Sequence, residues 1–166
     1  MWPKNMKKTM KKVMLLVALC VMTVAGYAHE PSKAERAIGE IVKKYENVKG
    51  VTCVTVAKGS GLGMVKMMLN SQVGKDLTKG VTRITIIEYS EASQQTCLAL
   101  RKELDVFKKL LEEFDMSEKD KYKDCEYVRS FAMPLADEKS VSDFIIAIED
   151  AESKMIMHMA GKMKLE

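Results

Sequence analysis

Apolar positions along this chain switch between helical spacing and strict alternation, and the switches predict eight elements. After Pro31, residues Ala34, Ile38, Ile41, Val42 and Tyr45 recur at helical spacing among Glu35, Arg36, Glu40, Lys43 and Lys44, with Ser32 placed to cap the helix. Gly50 ends that pattern, and the run 51–57, VTCVTVA, is β-branched almost throughout and reads as a strand. The turn Gly59-Ser60-Gly61-Leu62-Gly63 leads into a short second helix over 64–70, where Val65, Met68 and Leu69 share a face. A second strand occupies 81–89. Cys97, Leu100, Leu104, Phe107, Leu111 and Phe114 then step by three and four residues, which predicts one long helix with Arg101, Lys102, Glu103, Lys108, Lys109 and Glu112 on its outer side.

Three strand-like runs close the chain, over 126–133, 141–148 and 154–159, joined by the polar turns 136–139 and 149–152. Short polar links imply hairpins, so the last third is expected to be an antiparallel meander. The first two strands enclose a helix and are expected to pair in parallel through a right-handed crossover. Together these elements predict an α+β domain in the order αβαβαβββ, with a mixed sheet of about five strands and helices mainly on one face. No repeat, low-complexity tract or linker divides it.

The N-terminal segment follows a different logic. Lys4, Lys7, Lys8, Lys11 and Lys12 precede the uncharged apolar run 13–25, which is too short to span a bilayer, and Gly26-Tyr27-Ala28 supplies small residues for cleavage. Residues 1–28 are therefore expected to be a signal peptide and 29–166 a single exported domain, periplasmic or secreted. Cys20 lacks a small residue just before it and lies within the apolar run, so lipidation is not expected. No second apolar span suggests an integral membrane segment.

Charge changes its meaning once this segment is set aside. The 166 residues are 47% hydrophobic and carry 27 basic against 23 acidic side chains, a net charge of +4, but the five leader lysines account for the excess. The remaining 22 against 23 leave a net charge of −1, which offers no electrostatic case for nucleic acid or an anionic membrane. The partner class left standing is an unknown protein or a small ligand. Cys53, Cys97 and Cys125 are odd in number, so at least one thiol is unpaired or bridges to another chain.

Two constellations invite chemistry. Backbone amides of the loop formed by Gly59, Ser60, Gly61 and Gly63, lying between a strand and a helix, suit an anion, although Met64 and Lys66 stand where a dinucleotide fingerprint needs glycine and no Gly-Lys-Ser/Thr follows. Met155, Met157, His158 and Met159 offer the thioether and imidazole ligands that suit copper(I). Strand alternation puts the three methionines on one face and His158 on the other, so core packing with His158 at the far surface is the simpler reading. Glu149, Asp150 and Glu152 form an acidic turn without the EF-hand spacing. With His29 and His158 the only imidazoles, no catalytic set is assigned, and no cofactor is implied.

The run Lys44-Tyr45-Glu46-Asn47-Val48-Lys49-Gly50-Val51-Thr52-Cys53-Val54-Thr55-Val56, then Lys79-Gly80-Val81-Thr82-Arg83-Ile84 and the late Met157-His158-Met159-Ala160-Gly161, resembles a family of small exported Bacteroidetes proteins classed as a domain of unknown function. The resemblance implies an exported α+β domain and carries over no catalytic residues. Many members look like lipoproteins, from which this chain departs. The sequence thus points to a non-enzymatic binding module. The alternatives are an enzyme that acts on an anionic or phosphorylated substrate through the 59–63 loop and a Met/His copper(I)-binding protein.

Overall fold

A computed structural model describes residues 30–73, 78–116, 122–137 and 139–164. Helix α1 (Lys33–Tyr45) opens on a reciprocal cap: the Glu35 N–H donates to Ser32 Oγ at 3.0 Å, and the Ser32 N–H donates to Glu35 Oε2 at 2.8 Å. Strand β1 (Thr52–Ala57), helix α2 (Ser60–Val73) and strand β2 (Val81–Glu88) follow, then helix α3 (Gln94–Glu103) and a 3-10 turn (Leu104–Lys109). Strands β3 (Glu112–Phe114), β4 (Tyr127–Pro134), β5 (Ser140–Glu149) and β6 (Lys154–Lys164) complete the described elements. Residues 1–28, expected from the sequence to be a signal peptide, and His29 lie outside the described residues.

The α+β class holds, with two corrections to the sheet. Six strands, in the order β1-β2-β6-β5-β4-β3, form one open sheet, and every neighbouring pair is antiparallel. The sheet is therefore not mixed. β1 and β2 run antiparallel, with Val54 opposite Ile86 and Val56 opposite Ile84, so the helix between them is not a parallel crossover. Their sequences carry the reason: Thr55 and Thr85 alternate with apolar residues, whereas strands of a parallel sheet read as continuous apolar runs.

The long helix expected through Phe114 is the second difference. It ends at Glu103, tightens into the 3-10 turn, and gives way to β3, the sixth strand, whose Glu113 pairs with Phe131 on β4. Cys97, Leu100, Leu104, Phe107 and Leu111 all stay in one apolar cluster, but Phe114 packs on the opposite side of the sheet. Edge pairing with β4 overrides the helical period at that point. Arg129 on β4 reinforces it, donating from Nε to Glu113 at 2.5 Å and from a terminal nitrogen to Asp105 at 3.0 Å.

Two helices pack on one face and one on the other, so the helices lie mainly on one face without leaving the other bare. On one side, Ala34, Ile38, Ile41 and Tyr45 of α1 and Cys97 and Leu100 of α3 pack on Ile87, Phe131, Ile145 and Ile156. On the other, Leu62, Val65 and Leu69 of α2 join Val54, Val56, Ile84, Phe144, Ile146 and the methionine row of β6. Leu104 and Phe107 are fully buried on the first side, while Lys108 is exposed. Leu104→Ala and Phe107→Ala are expected to cost about 2–5 kcal/mol each through the cavity they leave, and Lys108→Ala about 0.5 kcal/mol or less. Denaturant melts of the three variants check this, and equal effects would misplace the core.

Candidate functional site

At the β1–α2 junction, two residues with positive φ make the turn, Lys58 (48°) and Gly59 (86°), and α2 begins at Ser60. Gly61 and Gly63 thus lie within the first turn of the helix, with the Gly63 N–H donating to Gly59 O at 3.3 Å. A Cβ built on Gly61 would stand 3.4 Å from Val56, while one at Gly59 or Gly63 would meet nothing within 4 Å. The four residues named from the sequence do sit together, as an open strand-to-helix turn.

The methionine strand divides as alternation requires. Met155, Met157 and Met159 are buried among Ile84, Phe144, Ile146 and Ile148 on the α2 side. His158 projects to the α1 side, so the four candidate copper ligands do not converge on one point. The expectation that His158 reaches the surface is corrected: its side chain is 0% exposed, because α1 covers that face. Among the described residues no group of three His, Cys, Asp or Glu side chains is arranged to hold a metal ion.

His158 instead completes a buried chain of polar contacts. Its Nε2 stands 2.8 Å from Asp143 Oδ1 on β5, the same oxygen that accepts from Ser32 Oγ at 3.0 Å. Nucleophilic catalysis needs the histidine between serine and carboxylate, where it can take the hydroxyl proton. In this chain the carboxylate stands between the other two, and Ser32 Oγ also caps α1. The order of groups suits a clasp that holds the start of α1 to the sheet. His158 Nδ1 has no hydrogen-bond partner among the described residues. Beside the clasp, Arg83 Nε lies 3.3 Å from the buried Glu35 carboxylate.

Sequence reasoning missed Asp143 as the shared partner of His158 and Ser32, since 111 residues separate Ser32 from Asp143 and only the fold brings them together. It also missed the second buried network. Glu149 accepts from Arg101 Nε at 2.9 Å, from an Arg101 terminal nitrogen at 2.5 Å and from Tyr89 Oη at 2.9 Å, while the Arg101 guanidinium stacks 4.6 Å from the Tyr127 ring centre. The acidic turn 149–152 is closed internally, with Asp150 Oδ1 accepting the Glu152 and Ser153 N–H groups at 2.8 Å each. Cys53, Cys97 and Cys125 are all free thiols, and burial pushes the Cys53 pKa up to about 11.

A groove of about 550 Å³ lies between α1 and the 3-10 turn, lined by Ala37, Ile41 and Val106 together with Glu40, Lys43, Lys44 and Glu103. Lys43 pairs with Glu40 at 2.8 Å, and Glu103 accepts from both Lys44 and the Tyr45 hydroxyl. Nothing in the periodic pattern signals this groove, because its two walls come from elements far apart in the chain.

Over residues 45–166 the chain matches the family described as a domain of unknown function (DUF4252), and it belongs to that family. The match starts at Tyr45, the last residue of α1. Neither a curated protein nor a solved structure matches the chain.

Two outcomes test the assignment of these buried groups. Met157→Leu conserves volume and is expected to cost less than about 1.5 kcal/mol, whereas Asp143→Ala, which strands His158 and Ser32, is expected to cost about 2–3 kcal/mol in thermal or denaturant melts. The Glu149 network adds a pH signature. Burial pushes its carboxyl up, but hydrogen bonds from Arg101 and Tyr89 and the charge of Arg101 outweigh burial and hold it below the ordinary range. A depressed folded pKa gives stability that is complete above the unfolded value of about 4.3 and is lost as pH falls through the folded value. Arg101→Met removes the counter-charge and leaves burial to raise the pKa, which reverses the sign. At pH 7 the variant is expected to lose about 1–3 kcal/mol, less than a fully buried pair would, because Arg101 is 34% exposed. That gap narrows as pH is lowered toward about 3. A gap that widens in acid would mean that the Glu149 carboxylate is not what Arg101 stabilises.

Proposed function

We propose that the chain is an exported, non-enzymatic binding module that takes a small ligand or a protein segment into the groove beside α1. The observation that carries this reading is the lining of the groove: Ala37, Ile41 and Val106 offer apolar contact, and Glu40, Lys43, Lys44 and Glu103 offer charges of both signs. An apolar surface with a few placed polar groups, in a space of a few hundred cubic ångströms, is the usual build of a recognition site. Such a lining selects an amphipathic molecule that can replace the Lys44–Glu103 pair with contacts of its own. The lysine-led apolar segment over 4–25 supports export. No helix among the described residues is long and apolar enough to cross a membrane.

A second reading draws on the open turn at Gly59, where a Cβ built at Gly59 or Gly63 would meet nothing within 4 Å, which leaves room for a ligand beside the start of α2. On that reading the chain is an enzyme acting on an anionic substrate, and Ser60 and Gly61 belong to its site.

One set of measurements separates the two. In a thermal-shift screen of amphipathic small molecules and short peptides, compounds that stabilise the natural protein are expected to lose their effect in Val106→Arg, which fills the groove from an exposed position. Esterase and phosphatase screens are expected to give no turnover. Turnover abolished by both Gly61→Val and Ser60→Ala would overturn the binding-module reading in favour of the enzyme.

A further inference from the structure

The two edges of the sheet are built differently. β3, at one edge, has three residues, carries Glu112 and Glu113, and is clamped by Arg129. Shortness and charge are the devices that keep an edge from pairing with another chain. β1, at the other edge, has six residues, TCVTVA, with no charge, no proline and no break in its register against β2. Among the described residues no strand lies beyond it. We infer that β1 is a self-association edge, where a second copy of this chain adds its own β1 antiparallel across a two-fold axis and continues the sheet.

Three features of the edge favour a second copy over an unrelated extended peptide. The first is self-complementarity. With the axis through Thr55, Val54 lies opposite Val56 of the second copy, Cys53 opposite Ala57, and Thr55 opposite its own equivalent, so each residue meets one from the same face of the sheet. The second is charge. In that register Lys58, in the turn just past the end of β1, comes near the start of the second copy's β1, where Thr52 neighbours Glu88 on β2, so a positive charge approaches a negative one.

The third is the helix above the edge. α2 packs on β1 and β2, and its two flanks can be told apart. Lys66 donates to Lys79 O and Asn70 accepts from Thr78, both just before β2, so that flank faces inward over the sheet. The opposite flank carries Gly61, close above Val56, and Met64, which helical spacing sets about 60° from it. Met64 is 43% exposed and Met67, at the crest, 72%. A second copy brings its own α2 alongside this apolar flank, which a bare peptide strand would leave in water. The defended β3 edge prevents open-ended growth, and the pairing closes as a symmetric dimer.

Sedimentation equilibrium of the natural protein is expected to give twice the monomer mass. Thr55→Lys sets two like charges against each other on the axis and is expected to weaken the dimer by about tenfold or more, with circular dichroism confirming the fold. Cys53→Ser combined with Thr55→Cys gives an independent readout. The paired Cα atoms then lie about 4.5–5.5 Å apart, within disulfide range, so mild oxidation is expected to yield a covalent dimer that reducing agent reverses. This cross-link decides the matter even if Thr55→Lys fails to fold. A natural protein that stays monomeric, together with a double variant that does not cross-link through the introduced thiol, overturns the inference. So does a dimer that neither cross-links there nor weakens in Thr55→Lys, or a monomer whose edge instead takes up a short extended peptide. None of these outcomes bears on the groove beside α1.

Discussion

A sheet covered by helices on both sides leaves its central strands no face in water. β5 and β6 lie at its middle, and over Ser140–Glu149 and Met155–Ala160 every residue but Ser142 is buried, whichever way it points. Apolar side chains meet that condition without help. Asp143, Glu149 and His158 do not, since a buried polar group left unpaired costs about 1–3 kcal/mol and a charge costs more. Each therefore recruits a partner from the covering layer or from a neighbouring strand: Asp143 takes Ser32 and His158, and Glu149 takes Arg101 and Tyr89. The polar residues that seem out of place in the core are the ones that fix where α1 and α3 sit.

This constraint explains which parts of the fold are legible in the sequence. Every strand of the final meander shows, because the apolar runs are joined by polar turns in which one Asp, Asp137 or Asp150, accepts a backbone amide. The Ser32 cap shows because Glu35 stands three residues on. At β1 and β2 the intervening helix suggests parallel strands, although the alternation of Thr55 and Thr85 with valine and isoleucine is the better signal of direction. The run to Phe114 keeps its helical spacing while the backbone leaves the helix. In a 3-10 turn, residues three apart still share a face, so Leu104, Phe107 and the pair Leu110 and Leu111 satisfy both geometries. Only the side to which Phe114 points, opposite the others, distinguishes them, and that depends on β4, which comes later in the chain.

The chemistry is less legible, for a related reason. Alternation is enough to separate Met155, Met157 and Met159 from His158, and it favours packing over copper on the sequence alone. It cannot say what lies over the far face. An imidazole opposite a core row goes to solvent if the sheet is bare and into a second core if it is covered, and the covering helix ends at Tyr45, far from His158 in the chain. The same holds for the groove, whose walls come from α1 and from a 3-10 turn that the periodic pattern reads as regular helix.

Helix α1 has an unusual standing in this molecule. All but its last residue precede the region shared with the family, yet Ala34, Ile38 and Ile41 close one of the two apolar clusters, and its cap reaches Asp143. Were it absent, Ile87, Ile145 and Ile156 would lose their cover, and the Asp143–His158 pair would lose the serine that shares its carboxylate oxygen. The wall of the groove formed by Ala37, Glu40 and Ile41 would go with it. The shared region therefore contains all six described strands but only part of the layer that buries them. The polar clasp shows how the rest is held: a helix docked by apolar contacts alone can slide or turn, whereas one tied at its N-cap to a buried pair is fixed along the sheet.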